Sequence, residues 1–170
     1  MKVGQTLEAD TMIGPLVSAT QLERVTGYIA SGREEGASVL VGGERIGDGG
    51  YFVQPTVLVD TKPDMRVRKE EIFGPVLCAM RFGDDDDPDA LAGRGNETEF
   101  GLSASIYTQN ISTAHKLARR LQAGSIRING SAGVDPALPM GGFKASGWGR
   151  ENGKAGIVAY TGLKTGSVAL

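Results

Sequence analysis

Among its 170 residues this sequence has one cysteine and one histidine. A single cysteine forms no internal disulfide, which fits a reducing compartment. Cys78 and His115 together fall short of a zinc ligand set. Charge of one sign is also missing, with 18 basic residues against 20 acidic ones for a net charge of -2. No basic stripe exists to attract a phosphate backbone, so nucleic acid is not an expected partner. No apolar run approaches the roughly 18 residues that a membrane helix needs. The opening MKVGQTLEAD has no apolar signal core, so the expectation is a cytoplasmic protein rather than a secreted or membrane one.

What is present is ordinary for a globular domain, at 40% hydrophobic and 22% charged residues, and long enough to bury a core. Glycine is the exception. Its 26 residues are roughly twice average usage. They gather at element ends and between positions 141 and 156, a habit of tight turns and close backbone approaches.

The periodicities alternate between helix and strand. Residues 1–17 read as irregular, broken at Gly14-Pro15. A helix is predicted from Ser18, with Leu22, Val25 and Ile29 on one face and Gly36 as a stop. A short strand follows at 37–41. Residues 51–60 read as extended and, interrupted by Pro55, as near a sheet edge. A helical turn at 65–70 leads through Gly74-Pro75 to a strand at 76–82. The run DDDDPD at 84–89 reads as a solvated loop that feeds negative charge into a helix N-terminus, since consecutive aspartates rarely converge on one cation. A helix at 90–96, a strand at 103–108, a helix capped by Ser112, a strand at 125–129, a helix at 151–159 and a strand at 164–170 complete the pattern. Such alternation predicts an α/β fold, with a mostly parallel sheet covered by helices on both faces. No internal repeat or linker interrupts it, and the chain reads as one structural unit.

Few residues in this pattern carry chemistry. Cys78 lies in VLCAM among apolar neighbours, near Glu70 and Glu71, and both burial and like charge raise a thiol pKa. It reads as a buried strand residue. His115 reads as an exposed helix residue, which leaves a Cys-His hydrolase without support. Glu70 and Glu71 cannot both face one way. One of them can be solvated while the other reaches a cleft, where a carboxylate accepts two hydrogen bonds from a vicinal diol. Phe73 can cover a flat ring. A capping or surface role for the two glutamates stays open on composition alone. The stretch PMGGFKASGWGRENG, 139–153, matches neither a phosphate-loop nor a dinucleotide fingerprint.

Several segments, in order, resemble the NAD(P)-dependent aldehyde dehydrogenase superfamily. These are MIGPLVSATQLERVTGYI (12–29), GGYFVQPTVLVD (49–60), KEEIFGPV (69–76), NETEFGLSASIYTQN (96–110), LQAGSIRIN (121–129), PMGGFKASGWGRENG (139–153) and YTGLKT (160–165). The resemblance is to the C-terminal part of such an enzyme. It implies a three-layer α/β/α arrangement on a mostly parallel, Rossmann-like sheet. Residues 1–160 would form a partial catalytic domain, and 161–170 a C-terminal strand for oligomer contacts. It implies that Glu71 binds the nicotinamide-ribose hydroxyls of NAD or NADP and that Phe73 packs near the nicotinamide. Val134 and Met140 would border the pocket for an aldehyde, with Met140 replacing the family's common Phe by a flexible thioether.

The family's cysteine nucleophile forms a thiohemiacetal, hydride passes to NAD(P)+, and water releases the acid. That cysteine, the glutamate base and the cofactor domain lie upstream of the matched region. Cys78 is not at the nucleophile position, so the resemblance assigns no catalytic residue here. The chain is expected to be an inactive fragment and a homo-oligomer through its C-terminal strand. The alternative is a non-catalytic assembly module derived from the same family.

Overall fold

In the computed structural model, the structure describes residues 1–83, 85–130 and 135–169. The chain packs as two compact units, residues 1–83 and 84–170.

The first unit is organised by helix α1, Ala19–Glu34. Ser18 is extended and its Oγ accepts the Gln21 amide at 3.2 Å, satisfying one of the free N–H groups of the first turn. Gly36, at φ +102, lets the chain turn away past the C-terminal end. Three short strands follow: β1 Ser38–Val41, β2 Thr56–Val59 and β3 Val76–Cys78. Helix α2, Arg66–Lys69, precedes β3. β2 is central, antiparallel to β1 and parallel to β3. The expected edge position of 51–60 is therefore corrected. Pro55 stands one residue before β2 begins, where its missing N–H costs the ladder nothing.

The apolar face of α1 (Leu22, Val25, Tyr28 and Ile29) packs with Leu58 of β2, Met65, Val67 and Ile72 into one core cluster. Gly32 brings helix and sheet close: a Cβ there would stand 3.2 Å from both Leu58 Cδ1 and Val67 Cγ1. Thr56 is the buried polar residue of this core. Its hydroxyl donates to the Gln54 carbonyl and accepts the Gly43 amide, so it is satisfied.

The second unit contains α3 Pro88–Asn96, β4 Phe100–Gly101, β5 Ser103–Ile106, α4 Ile111–Arg120, β6 Ser125–Ile128, β7 Phe143–Lys144 and α5 Gly153–Val158. β5 and β6 pair in parallel across the α4 crossover, and β4 pairs antiparallel with β7. The cap of α4 is Asn110, whose Oδ1 accepts the Thr113 amide at 3.1 Å, rather than the expected Ser112. α3 begins with Pro88 in its first turn. Asp86 and Asp89 of the acidic run form ion pairs with Arg94 and Arg120. Gly124 lies so close to the Gly141 carbonyl that any side chain would strike it.

The α/β character read from the sequence stands, in small sheets: a mixed one of three strands, a parallel pair and an antiparallel pair. The strand expected at 164–170 does not form among described residues 164–169. A strand exists only as part of a ladder, and none of the described strands pairs with this segment. Among the described residues of the second unit, buried apolar side chains are few: Ala92, Ile106 and Ala114.

Candidate functional site

The segment 70–75 crosses from α2 to β3, and α1 fixes its backbone. Gln21 Nε2 donates to the Phe73 carbonyl at 2.6 Å and Arg24 Nη2 to the Glu71 carbonyl at 2.6 Å. Ile72 turns inward and joins the core. Gly74 sits against Val25, where an added Cβ would come within 2.5 Å of Val25 Cγ2. The loop is thus pinned by hydrogen bonds from Gln21 and Arg24, one apolar anchor and one close approach.

The two adjacent carboxylates diverge, as the sequence required. Glu70 Oε2 accepts from the Tyr28 hydroxyl at 2.6 Å and from Arg66 Nε at 3.0 Å. The tyrosine hydroxyl first, and the Arg66 guanidinium second, hold the Glu70 carboxyl below the usual carboxylate range. Arg66 and Arg24 also lie over the Tyr28 ring, at 4.4 and 5.1 Å from its centroid. Glu71 is exposed, and its side chain has no hydrogen-bond or ion-pair partner among the described residues.

Phe73 is 75% exposed. Its φ of +57° lies in the left-handed region, which a bulky residue occupies only when its surroundings impose it. The Gln21 bond to its carbonyl and the seated Gly74 impose it here. A free carboxylate and an exposed aromatic face therefore project from one rigid loop, on either side of a buried isoleucine.

The other sequence candidates fall elsewhere. Cys78 is half-buried on β3, its Sγ 3.4 Å from the Val67 carbonyl. Burial pushes its thiol up, and Arg68 pulls more weakly the other way. That is the reverse of an activated nucleophile. His115 is exposed on α4, in the second unit. Met140 is partly buried, and its N–H and C=O both bond Glu151, at 2.8 and 2.7 Å. It lines a groove of about 550 Å³ with Gly130, Leu138 and Pro139. Val134 lies outside the described residues. Among the described residues no group of three or more His, Cys, Asp or Glu is placed to hold a metal, and no helix is long and apolar enough to cross a membrane.

The sequence reading missed the residues that support the loop. Gln21, Arg24 and Tyr28 are spaced i, i+3, i+7, which places them on one side of α1. That spacing was a visible signal. Their partners, backbone carbonyls and the Glu70 carboxylate about forty to fifty residues away, were not.

The architecture and this loop define an α/β domain with a rigid carboxylate-aromatic edge. Comparison with known proteins carries the assignment one step further. The profile of the aldehyde dehydrogenase family matches residues 1–166, and the chain belongs to that family. It is 48% identical over 160 residues to a mitochondrial aldehyde dehydrogenase of Leishmania tarentolae, covering 94% of this chain and 32% of that protein. It is 43% identical over 164 residues to an aldehyde dehydrogenase of Emericella nidulans, covering 96% of this chain and 32% of that protein. It superimposes with a TM-score of 0.91 on the NAD+ complex of an aldehyde dehydrogenase from Bacillus cereus, at 46% identity, covering 96% of this chain and 33% of that one. The chain thus spans about a third of the length of these relatives.

Proposed function

We propose that these residues serve an NAD(P)+-dependent oxidation of an aldehyde to a carboxylic acid, as the C-terminal part of the catalytic machinery. The observation that carries this reading is the loop at 70–75. Glu71 offers a carboxylate with no partner among the described residues, and Phe73 offers an exposed ring, both on a backbone that α1 holds rigid. These groups fit a nicotinamide nucleoside. A carboxylate accepts both hydroxyls of a ribose, and an aromatic face covers a flat base. The cofactor, when bound, supplies a hydride acceptor. Glu71 orients its ribose and Phe73 limits its movement. Met140 borders the aldehyde pocket, and its thioether adapts that wall to its substrate.

Cys78 has no part in the chemistry. Its thiol is half-buried and pushed up by burial, and on this reading the nucleophile is a residue other than Cys78. Supplied with an aldehyde and NAD(P)+, the chain alone is expected to form no NAD(P)H. Formation that survives Cys78→Ser would overturn this part of the reading. The single cysteine is in keeping with a reducing compartment such as the cytoplasm.

Residues 1–160 act as the partial catalytic domain, and 161–170 as the segment that joins copies of the chain. Residues 161–169 are exposed and belong to no described strand, and no described strand lies on either edge of the β5–β6 pair. Light scattering of the intact chain and of one lacking 164–170 tests this. An unchanged mass would remove the segment from assembly. The intact mass of the native protein tests the larger claim. A species several-fold heavier than 170 residues supports a tail within a complete dehydrogenase. A species of 170 residues favours the assembly module instead.

A further inference from the structure

An asparagine or aspartate followed by glycine can be attacked by its own backbone. The glycine N–H, once deprotonated, closes on the side-chain carbonyl carbon, and glycine has no Cβ to hinder it. The sequence has such steps at Asp48–Gly49, Asn129–Gly130 and Asn152–Gly153. Ammonia leaves more readily than water, so in an unfolded chain the asparagines react first. The fold reverses that order.

Asn129 has both ends of its amide in use. Its Oδ1 accepts the Thr108 amide at 2.9 Å and its Nδ2 donates to the Thr108 carbonyl at 2.8 Å. Its side chain turns towards the Gly130 nitrogen only by losing both bonds. At Asn152 the attacking group is occupied instead. The Gly153 N–H donates to the Pro136 carbonyl at 2.9 Å, which holds its proton in place.

Asp48 has neither restraint. Residues 44–50 are all exposed, and neither the Asp48 carboxyl nor the Gly49 N–H has a hydrogen-bond partner among the described residues. Arg45 adds an active element. Its Nη2 donates to the Asp48 carbonyl at 2.7 Å and to the Gly50 carbonyl at 3.1 Å. The Asp48 carbonyl and the Gly49 N–H belong to one peptide group. When that N–H loses its proton, negative charge spreads onto the carbonyl oxygen, where the guanidinium already sits.

We propose that Asp48–Gly49 is a self-modification site, at which Arg45 promotes closure to a succinimide that opens to isoaspartate. The Gly49 nitrogen bonds Cγ of the protonated Asp48 carboxyl, the Cγ–OH bond breaks, and the hydroxyl leaves with the displaced proton as water. Water then adds to the main-chain carbonyl carbon of Asp48, and the bond from that carbon to the Gly49 nitrogen breaks. The chain now runs through the former side chain, longer by a methylene, and the former main-chain carbonyl is a free carboxylate. The Arg45 clamp on the old peptide is lost with it.

The test ages the folded 170-residue chain at neutral pH in water enriched in heavy oxygen. Isoaspartate is then mapped by peptide mass spectrometry and by methyl transfer from S-adenosylmethionine with an isoaspartyl methyltransferase. Labelled isoaspartate is expected at position 48, while Asn129 and Asn152 keep their amides; in urea the order reverses. Gly49→Ala is expected to remove most of the product. It keeps the fold, because a Cβ at 49 would meet nothing within 4 Å. Arg45→Met is expected to slow labelling at 48 about tenfold, the effect of one charge-assisted hydrogen bond. Deuterium exchange of the Gly49 N–H should slow with it, which a loosened loop would not produce. The inference is overturned by an aged wild-type chain with no label at 48, by earlier reaction at Asn129 or Asn152 in the folded chain, or by an Arg45→Met chain that exchanges and reacts as fast as wild type. No nucleotide or aldehyde enters these readouts, so their failure leaves the dehydrogenase reading in place.

Discussion

The seat of Gly74 against Val25 gives a quantitative handle on how the loop is docked. Val25 is fully buried, so its methyl groups cannot swing into solvent. An alanine at 74 would place its Cβ 2.5 Å from Val25 Cγ2 and 3.1 Å from Cγ1. Overpacking of this kind costs about 1–3 kcal/mol. The loss of glycine's freedom in the unfolded chain returns about 0.4–1 kcal/mol of that. Gly74→Ala is therefore expected to destabilise the first unit by about 1–2 kcal/mol. Val25→Ala removes two buried methyl groups and costs about 2 kcal/mol. In the double variant, the new methyl occupies the space that valine vacates. The total should then fall about 1–2 kcal/mol short of the sum of the single effects. Urea titration followed by far-ultraviolet circular dichroism reads this directly. At an m-value of about 1–3 kcal/mol per molar, each single variant moves the midpoint by roughly 1 M. Additivity within about 0.5 kcal/mol would refute the reasoning, because it would mean that the loop does not rest on Val25.

Other expectations are simpler to check. Asn110→Ala should cost about 1 kcal/mol as the loss of the α4 cap, while Ser112→Ala should stay within about 0.5 kcal/mol; thermal melts of the two variants compare them. The Glu70 carboxyl is lowered by Tyr28 and Arg66, so its stabilising contribution is present above the unfolded carboxylate value and lost as pH falls through the folded one. Tyr28→Phe should move its NMR titration upward, and an unchanged midpoint would dismiss the hydroxyl as the cause. The Cys78 thiol is raised by burial, so the folded chain holds that proton more tightly. Its contribution is full below the unfolded thiol value and is lost as pH rises through the folded one. Iodoacetamide should therefore label the native chain slowly at neutral pH and rapidly once urea unfolds it; equal rates would contradict the burial.

Much of the first unit was legible because its signals are local. Ser18, the spacing of Leu22, Val25 and Ile29, and Gly36 describe α1 from cap to stop, and the structure agrees at each. Local signals misled where two candidates competed. Asn110 and Ser112 both suit a cap, and the one that wins is the one whose oxygen lies three residues before an unpaired amide. Pro55 reads as a mark of a sheet edge, yet one residue of offset lets β2 lie in the middle. Strand order is a non-local property, and nothing in 56–59 announces two neighbours. The site divides the same way. That Glu70 and Glu71 must diverge follows from adjacency alone, but which of them is engaged depends on Tyr28, more than forty residues away. The positive φ of Phe73 left no trace in composition, since the residue there is not one that favours that region.

Phe73 also sets a direction for any effort to harden this protein. A ring held at φ +57° works against the backbone beneath it. Glycine or asparagine would accept that angle at less strain. A selection scored on heat resistance alone would drift towards those residues and lose the aromatic face on the way. Screening for robustness would thus select against the side chain that the proposed cofactor contact needs, and only a screen that also reads nucleotide binding would keep it.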